Sequence, residues 1–100
     1  MLYITLLIYV CNEKEDVFRE FENLALPMLD DYNGKLLLRL RPNETSIVSV
    51  EGESPYEVHF LSFESEQDFN AYIQDPRRKE FLHLKEESIK ATLLVKGEKV

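Results

Sequence analysis

His59 and Glu57 are the residues of this chain best suited to chemistry. A histidine titrates near neutral pH. A carboxylate beside it can orient the ring and raise its pKa, which is what a general base needs. One residue separates the two, so on an extended strand their side chains share a face. Arg39, with Arg41 after it, offers a rigid fork of donors that suits the carboxylate of a small acidic ligand. Tyr9 and Thr5 share a parity and carry hydroxyls that can bond a ligand oxygen. Each has a plainer reading too. His59 could be bonded inside a packed seam, Arg39 paired with Glu57, and Tyr9 packed with its hydroxyl at an edge.

The other reactive side chains carry less. Cys11 ends the first apolar run beside a helix start, a place that can lower a thiol pKa, but a buried inert thiol suits it as well. His83 and Glu87 are four apart on a charged helix, and nothing else supplies the three or four ligands of a metal site, so no metal is expected. Arg77-Arg78-Lys79 opens a helix, where the dipole disfavours cations, and reads as solvated or paired with acids of a second chain. There is no Gly-rich phosphate loop, nucleophile elbow or paired-Cys motif. No cofactor is expected.

These groups must be positioned by a single domain spanning residues 1–100. The net charge of −7 repels both the phosphate backbone of nucleic acid and anionic membrane surfaces. A lone cysteine excludes an intrachain disulfide and fits a reducing compartment. The opening MLYITLLIYV has no basic residue before it and no small-residue cleavage site after it. It reads as a first strand, and the expected location is the cytoplasm.

Tyr3 to Val10 alternates Ile4, Leu6, Ile8, Val10 with Tyr3, Thr5, Leu7, Tyr9. Asn12 with Glu15 resembles a capping box, and a helical stripe follows through Val17, Phe21, Leu24 and Met28, widened by Phe18, Ala25 and Leu29. Pro27 should kink or end that helix near Leu26, and Asn33-Gly34 supplies a left-handed stop. Lys35 to Arg41 predicts a strand with Leu36, Leu38 and Leu40 on one face. Ile47, Val48 and Val50 suggest a short edge strand in the otherwise undefined stretch 42–55. Glu57 to Phe63 predicts a strand with Val58 and Phe60 towards the helices. Ser65 caps the next helix, Asp75-Pro76 breaks it and caps another, and Ser88 to Lys96 predicts the last strand with Ile89, Ala91, Leu93 and Val95 inward.

The order strand, helix, strand, strand, broken helix, strand predicts an α+β, ferredoxin-like βαββαβ domain with a four-stranded antiparallel sheet. The other parity collects Tyr3, Thr5, Leu7, Tyr9, Arg39, Glu57 and His59 on an open face too apolar for water. Two copies packed sheet on sheet would cover it and enclose a cavity.

The run DDYNGKLLLR…SVEG…PYEVHFLSFESEQDFNAYIQDPRR…ATLLVKG resembles a bacterial domain-of-unknown-function family of the dimeric α/β-barrel superfamily. The matching landmarks are Tyr32 and Gly34, Glu51 and Gly52, Phe63, Ser65, Asp75 and Pro76, and Gly97. The resemblance implies a homodimeric barrel. The superfamily also holds cofactor-free oxygenases, haem-degrading enzymes and small-ligand isomerases. This chain lacks the tryptophan of the haem-degrading branch. Three functions follow: a dimeric barrel binding a small metabolite, a cofactor-independent oxygenase or isomerase with His59 as base, or a pure association module.

Overall fold

The structure, a computed structural model, describes residues 1–100. Its elements run β1 (Leu2–Val10), α1 (Glu15–Ala25), a 3-10 helix (Leu26–Tyr32), β2 (Gly34–Leu40), β3 (Glu57–Phe63), α2 (Glu66–Gln74), α3 (Pro76–Glu80), α4 (Leu82–Ser88) and β4 (Ile89–Gly97). The four strands form one antiparallel sheet in the order β2-β3-β1-β4. This is the ferredoxin-like arrangement, with the helices on one face. No helix is long and apolar enough to cross a membrane.

Local chemistry explains most boundaries. Ser65 Oγ accepts from the Asp68 amide at 3.1 Å and starts α2. Asp75 ends α2, and its carboxylate accepts from the Arg77 amide at 2.7 Å to start α3 behind Pro76. The same carboxylate takes Arg77's side chain and the Tyr32 hydroxyl, which together hold it well below the usual carboxylate range. The α-helix does not survive Pro27. It ends at Ala25 and tightens into the 3-10 turn, which Asn33 closes in the left-handed region (φ 55°).

Gly34 then opens β2 against Phe63. A Cβ there would stand 2.7 Å from the Phe63 ring, so any side chain would force Phe63 or the strand to shift. Phe63 is fully buried and meets Phe69 and Tyr72 with ring centroids 5.4 and 5.7 Å away. Ile4, Ile8, Phe18, Met28 and Leu29 complete the centre of the core.

Several expectations are corrected. Asn12 and Glu15 form no capping box; Lys14 precedes α1 without a side-chain cap, after a turn in which Glu13 is left-handed (φ 67°). Phe21 with the flanking Phe18 and Ala25 is buried as expected, but Leu24 points to solvent and Glu22 joins the buried side of α1. Residues 47–50 form no strand. Asn43 and Ser46 close a capped 3-10 turn instead, and Val48 is fully exposed. The stretch after Pro76 is two short helices meeting at Phe81.

The largest correction concerns sheet faces. The register pairs Ile4 with Leu61, Leu6 with His59 and Ile8 with Glu57. Residues opposite one another share a face, so Glu57, His59, Leu61 and Phe63 lie under the helices, and Val58 and Phe60 point away. In β2 a bulge between Leu36 and Leu38 inserts one residue and reverses the alternation. Leu36 faces the helices, Leu38 and Leu40 do not, and Arg39 joins His59. A second irregularity, at Tyr9/Val10, does the same in β4: Thr92 and Leu94 pair with Ile8 and Leu6 under the helices, and Ala91, Leu93 and Val95 lie on the open face.

Candidate functional site

β3 delivers Glu57 and His59 to the helix-covered face, and the β2 bulge delivers Arg39 and Arg41 beside them. From above, α1 adds Glu22, which occupies the apolar stripe four residues after Phe18 and three before Ala25. Glu57 is 0 %, Glu22 2 % and His59 4 % exposed. His59 Nε2 lies 2.5 Å from Glu57 Oε2 and 3.0 Å from Glu22 Oε2. Arg39 donates from Nε to Glu57 at 3.2 Å and from Nη2 to Glu22 at 2.7 Å. Arg41 Nε donates to the other Glu57 oxygen at 2.8 Å, and its guanidinium lies over the Tyr56 ring.

Two buried carboxylates are thus matched by two guanidinium groups at the rim and by one imidazole inside. Buried charges persist only when paired in this way. Burial pulls the His59 pKa down, but its hydrogen bonds to Glu22 and Glu57 outweigh that and hold it above its ordinary value. Burial likewise opposes ionisation of Glu57; bonds from His59, Glu22, Arg41 and Arg39 win, and it stays ionised well below the usual carboxylate range. Glu22 goes the other way, raised by burial and by the neighbouring Glu57 despite His59. Two carboxylates so close cannot ionise equally.

A cavity of about 150 Å³ adjoins this cluster, between the sheet and the helices. Its walls are mainly apolar, with Ile4, Leu6, Phe21 and Leu61 among them, and His59 and Glu22 form a polar part of its lining. Both hydrogen bonds of His59 are made by Nε2, and no protein group bonds Nδ1. The cavity therefore lies within a single chain, not between the open faces of two sheets.

Of the residues singled out from sequence, the structure brings together His59, Glu57, Arg39 and Arg41. Thr5 and Tyr9 do not join them. Thr5 pairs with Phe60 and Val95, and Tyr9 with Ala91, on the opposite face of the sheet. Cys11 is half-exposed at the end of β1, and His83 is exposed on α4. Glu22 escaped the sequence reading although a signal existed: a lone acid inside an apolar stripe of α1. Glu22, Glu57 and His59 offer three ligand atoms within 4.8 Å of one another. A divalent cation there would have to displace the Arg39 and Arg41 bonds and face both guanidinium charges, so the donor set suits a proton better than a metal.

No family model and no curated protein matches the chain. Solved structures do. The RPA0582 protein of unknown function from Rhodopseudomonas palustris superposes with a TM-score of 0.83 at 12% identity, over 99% of this chain and 82% of that one. A dimeric protein of unknown function with a ferredoxin-like fold, from Bacteroides fragilis, gives 0.70 at 12% identity over 98% and 95%. A putative antibiotic biosynthesis monooxygenase from Nitrosomonas europaea gives 0.71 at 11% identity over 100% and 99%. At these identities the likeness is one of fold, and the chain has the ferredoxin-like α+β fold of this group of bacterial proteins.

Proposed function

We propose that the protein binds a small, largely apolar molecule in the cavity beneath α1, with His59 as the proton-transferring group, and that it works as a homodimer. The observation that carries this is the meeting of an apolar cavity with a charge-tethered histidine. A cavity of roughly 150 Å³ is about the size that admits a benzene ring. With Nε2–H donated to the carboxylates, Nδ1 keeps its lone pair for the ligand. His59 takes a proton from an acidic C–H or O–H of the ligand at Nδ1. The imidazolium formed is stabilised by Glu57 and Glu22, and the proton is then returned to the ligand at the same or another atom. A proton relocation of isomerase type balances without any further reactant.

The dimer reading rests on the open face, where Leu38, Leu93 and Val95 are about half exposed beside Leu7 and Phe60. A contiguous apolar surface of this kind marks an association site. A structural neighbour of the same fold is dimeric. Thr5 and Tyr9 then belong to the seam between subunits.

Two measurements test the reading. Small aromatic molecules should raise the melting temperature of the native protein, and Leu94→Trp, which fills the cavity lining, should abolish that rise. A bound ligand with an acidic C–H should exchange deuterium in D2O, and His59→Asn should stop exchange while binding persists. Unchanged exchange in that variant would reject His59 as the base.

A further inference from the structure

The cavity lining carries a second, independent chemical signature. Lys35, Arg78, Lys79, Lys85 and Lys99 are the basic side chains without a carboxylate partner within 4.0 Å. Lys35, Lys79 and Lys99 are exposed, where solvation suffices. Arg78 and Lys85 are both half-buried, and both line the cavity. In a chain of net charge −7, acids are abundant, yet none pairs with these two cations. The Arg78 guanidinium rests 4.7 Å from the Tyr72 ring centroid and 5.9 Å from that of Phe21, which positions it without neutralising it. Burial first, and the Arg78 charge next, push the Lys85 ammonium below its ordinary pKa against the weaker pull of Glu86, so the two cations feel one another.

The sheet shows how this pair relates to His59. Leu6 on β1 pairs with His59 on one side and with Leu94 on the other. Two strand spacings, about 10 Å, therefore separate the His59 backbone from that of β4. The lining residues Thr92 and Leu94 of β4 and Ile73 of α2 are exposed, so the cavity reaches the surface there, and Arg78 and Lys85 share its lining. The cavity is thus mainly apolar, with an imidazole and two half-buried cations that lack a carboxylate partner within 4.0 Å in its lining.

We propose that the ligand of this cavity is a small amphipathic anion, a carboxylate on a compact apolar body, whose carboxylate is held by Arg78 and Lys85 while its other end reaches His59. This deepens the reading of the cavity given above and rests on it. The anion relieves the mutual repulsion of the two cations and gains charge-assisted hydrogen bonds in a partly desolvated place. The apolar body replaces water against Leu6, Phe21 and Leu61. A fixed orientation follows, with the end remote from the carboxylate presented to Nδ1 of His59.

The test compares phenylacetate with its uncharged counterpart phenylacetamide by calorimetry on the wild-type protein, and repeats it with Arg78→Gln and Lys85→Gln. Phenylacetate should bind roughly tenfold or more tighter than the amide, in line with a charge-assisted hydrogen bond, and the preference should shrink with added salt. Each variant should lose the preference while still binding the amide. Should Arg78→Gln fold poorly, Lys85→Gln and the salt dependence still decide. Equal binding of the two probes to the wild type would overturn the anion inference and leave the cavity reading standing. Binding of neither would overturn both.

Discussion

His59 Nε2 sits 2.5 Å from Glu57 Oε2, a contact between alternate residues of one strand, with Glu22 of α1 closing on the same nitrogen at 3.0 Å. The same-strand contact is set by pleating, which turns side chains two apart to one face. The cross-layer contact exists only because α1 lies over that face. Together they place a complete charge cluster in what is otherwise the hydrophobic side of the sheet.

Glu57 is the member whose loss should cost most. It is fully buried and bonds His59, Arg39 and Arg41. Glu57→Gln should destabilise the protein by about 3 kcal/mol, the lower end for breaking a buried ion pair because both arginines are partly exposed. An unchanged midpoint in urea unfolding would contradict the arrangement.

The cluster should also shape stability against pH. Glu57 has a depressed folded-state pKa, so its contribution is present above the usual 4.5 and is lost as pH falls towards the folded value. His59 has a raised pKa, so its contribution is full below 6.5 and fades as pH rises through the folded value. Glu22, also raised, favours the folded state at low pH and loses that contribution as pH rises from 4.5 through its folded value. The stability gap between wild type and His59→Asn should therefore be wider at pH 6 than at pH 9, by chemical denaturation. A gap that widened with alkali would reverse the sign and refute the pairing.

Gly34→Ala probes the packing that anchors β2. The new Cβ would come within 2.7 Å of the Phe63 ring, and the Leu29 side chain and carbonyl stand at 3.1 and 3.2 Å, leaving it no escape. A loss of about 1–3 kcal/mol is expected, as for overpacking elsewhere. A thermal midpoint equal to that of the wild type would show that Phe63 yields freely.

The open face should govern assembly. In sedimentation, the wild-type protein should run at twice the 11.8 kDa chain mass, and Leu93→Asp should run at that mass itself, with its fold intact by circular dichroism. A variant that remained dimeric would move the interface elsewhere. A monomeric wild type would remove it.

Much of this protein is local and therefore legible in its residues. The strands at Leu2–Val10 and Glu57–Phe63, the Ser65 and Asp75 caps, the break at Pro76 and the left-handed Asn33 all follow from short-range chemistry. Their order alone implied the ferredoxin-like sheet. The complementary charges of Glu57, His59 and Arg39 were likewise visible, although Arg39 reaches their face only through the β2 bulge.

Which side of the sheet they occupy was not. Alternation defines two faces but not which is covered, and β3 carries apolar residues on both: Val58 and Phe60 on one, Leu61 and Phe63 on the other. Cross-strand register with β1 made that choice, through Ile4 against Leu61 and Ile8 against Glu57. The extra residue in β2 turned Arg39 inward to match, and a bulge depends on how two strands meet, which neither states alone. Glu22 entered only when α1 was laid across the sheet, and Arg78 and Lys85 became a pair only when helices distant from β3 closed over the same cavity. Short-range residue chemistry sets the elements, their order and the chemical types that belong together. The face, the partners and the cavity come from how the elements pack, because burial is a property of surfaces in contact and not of any one segment.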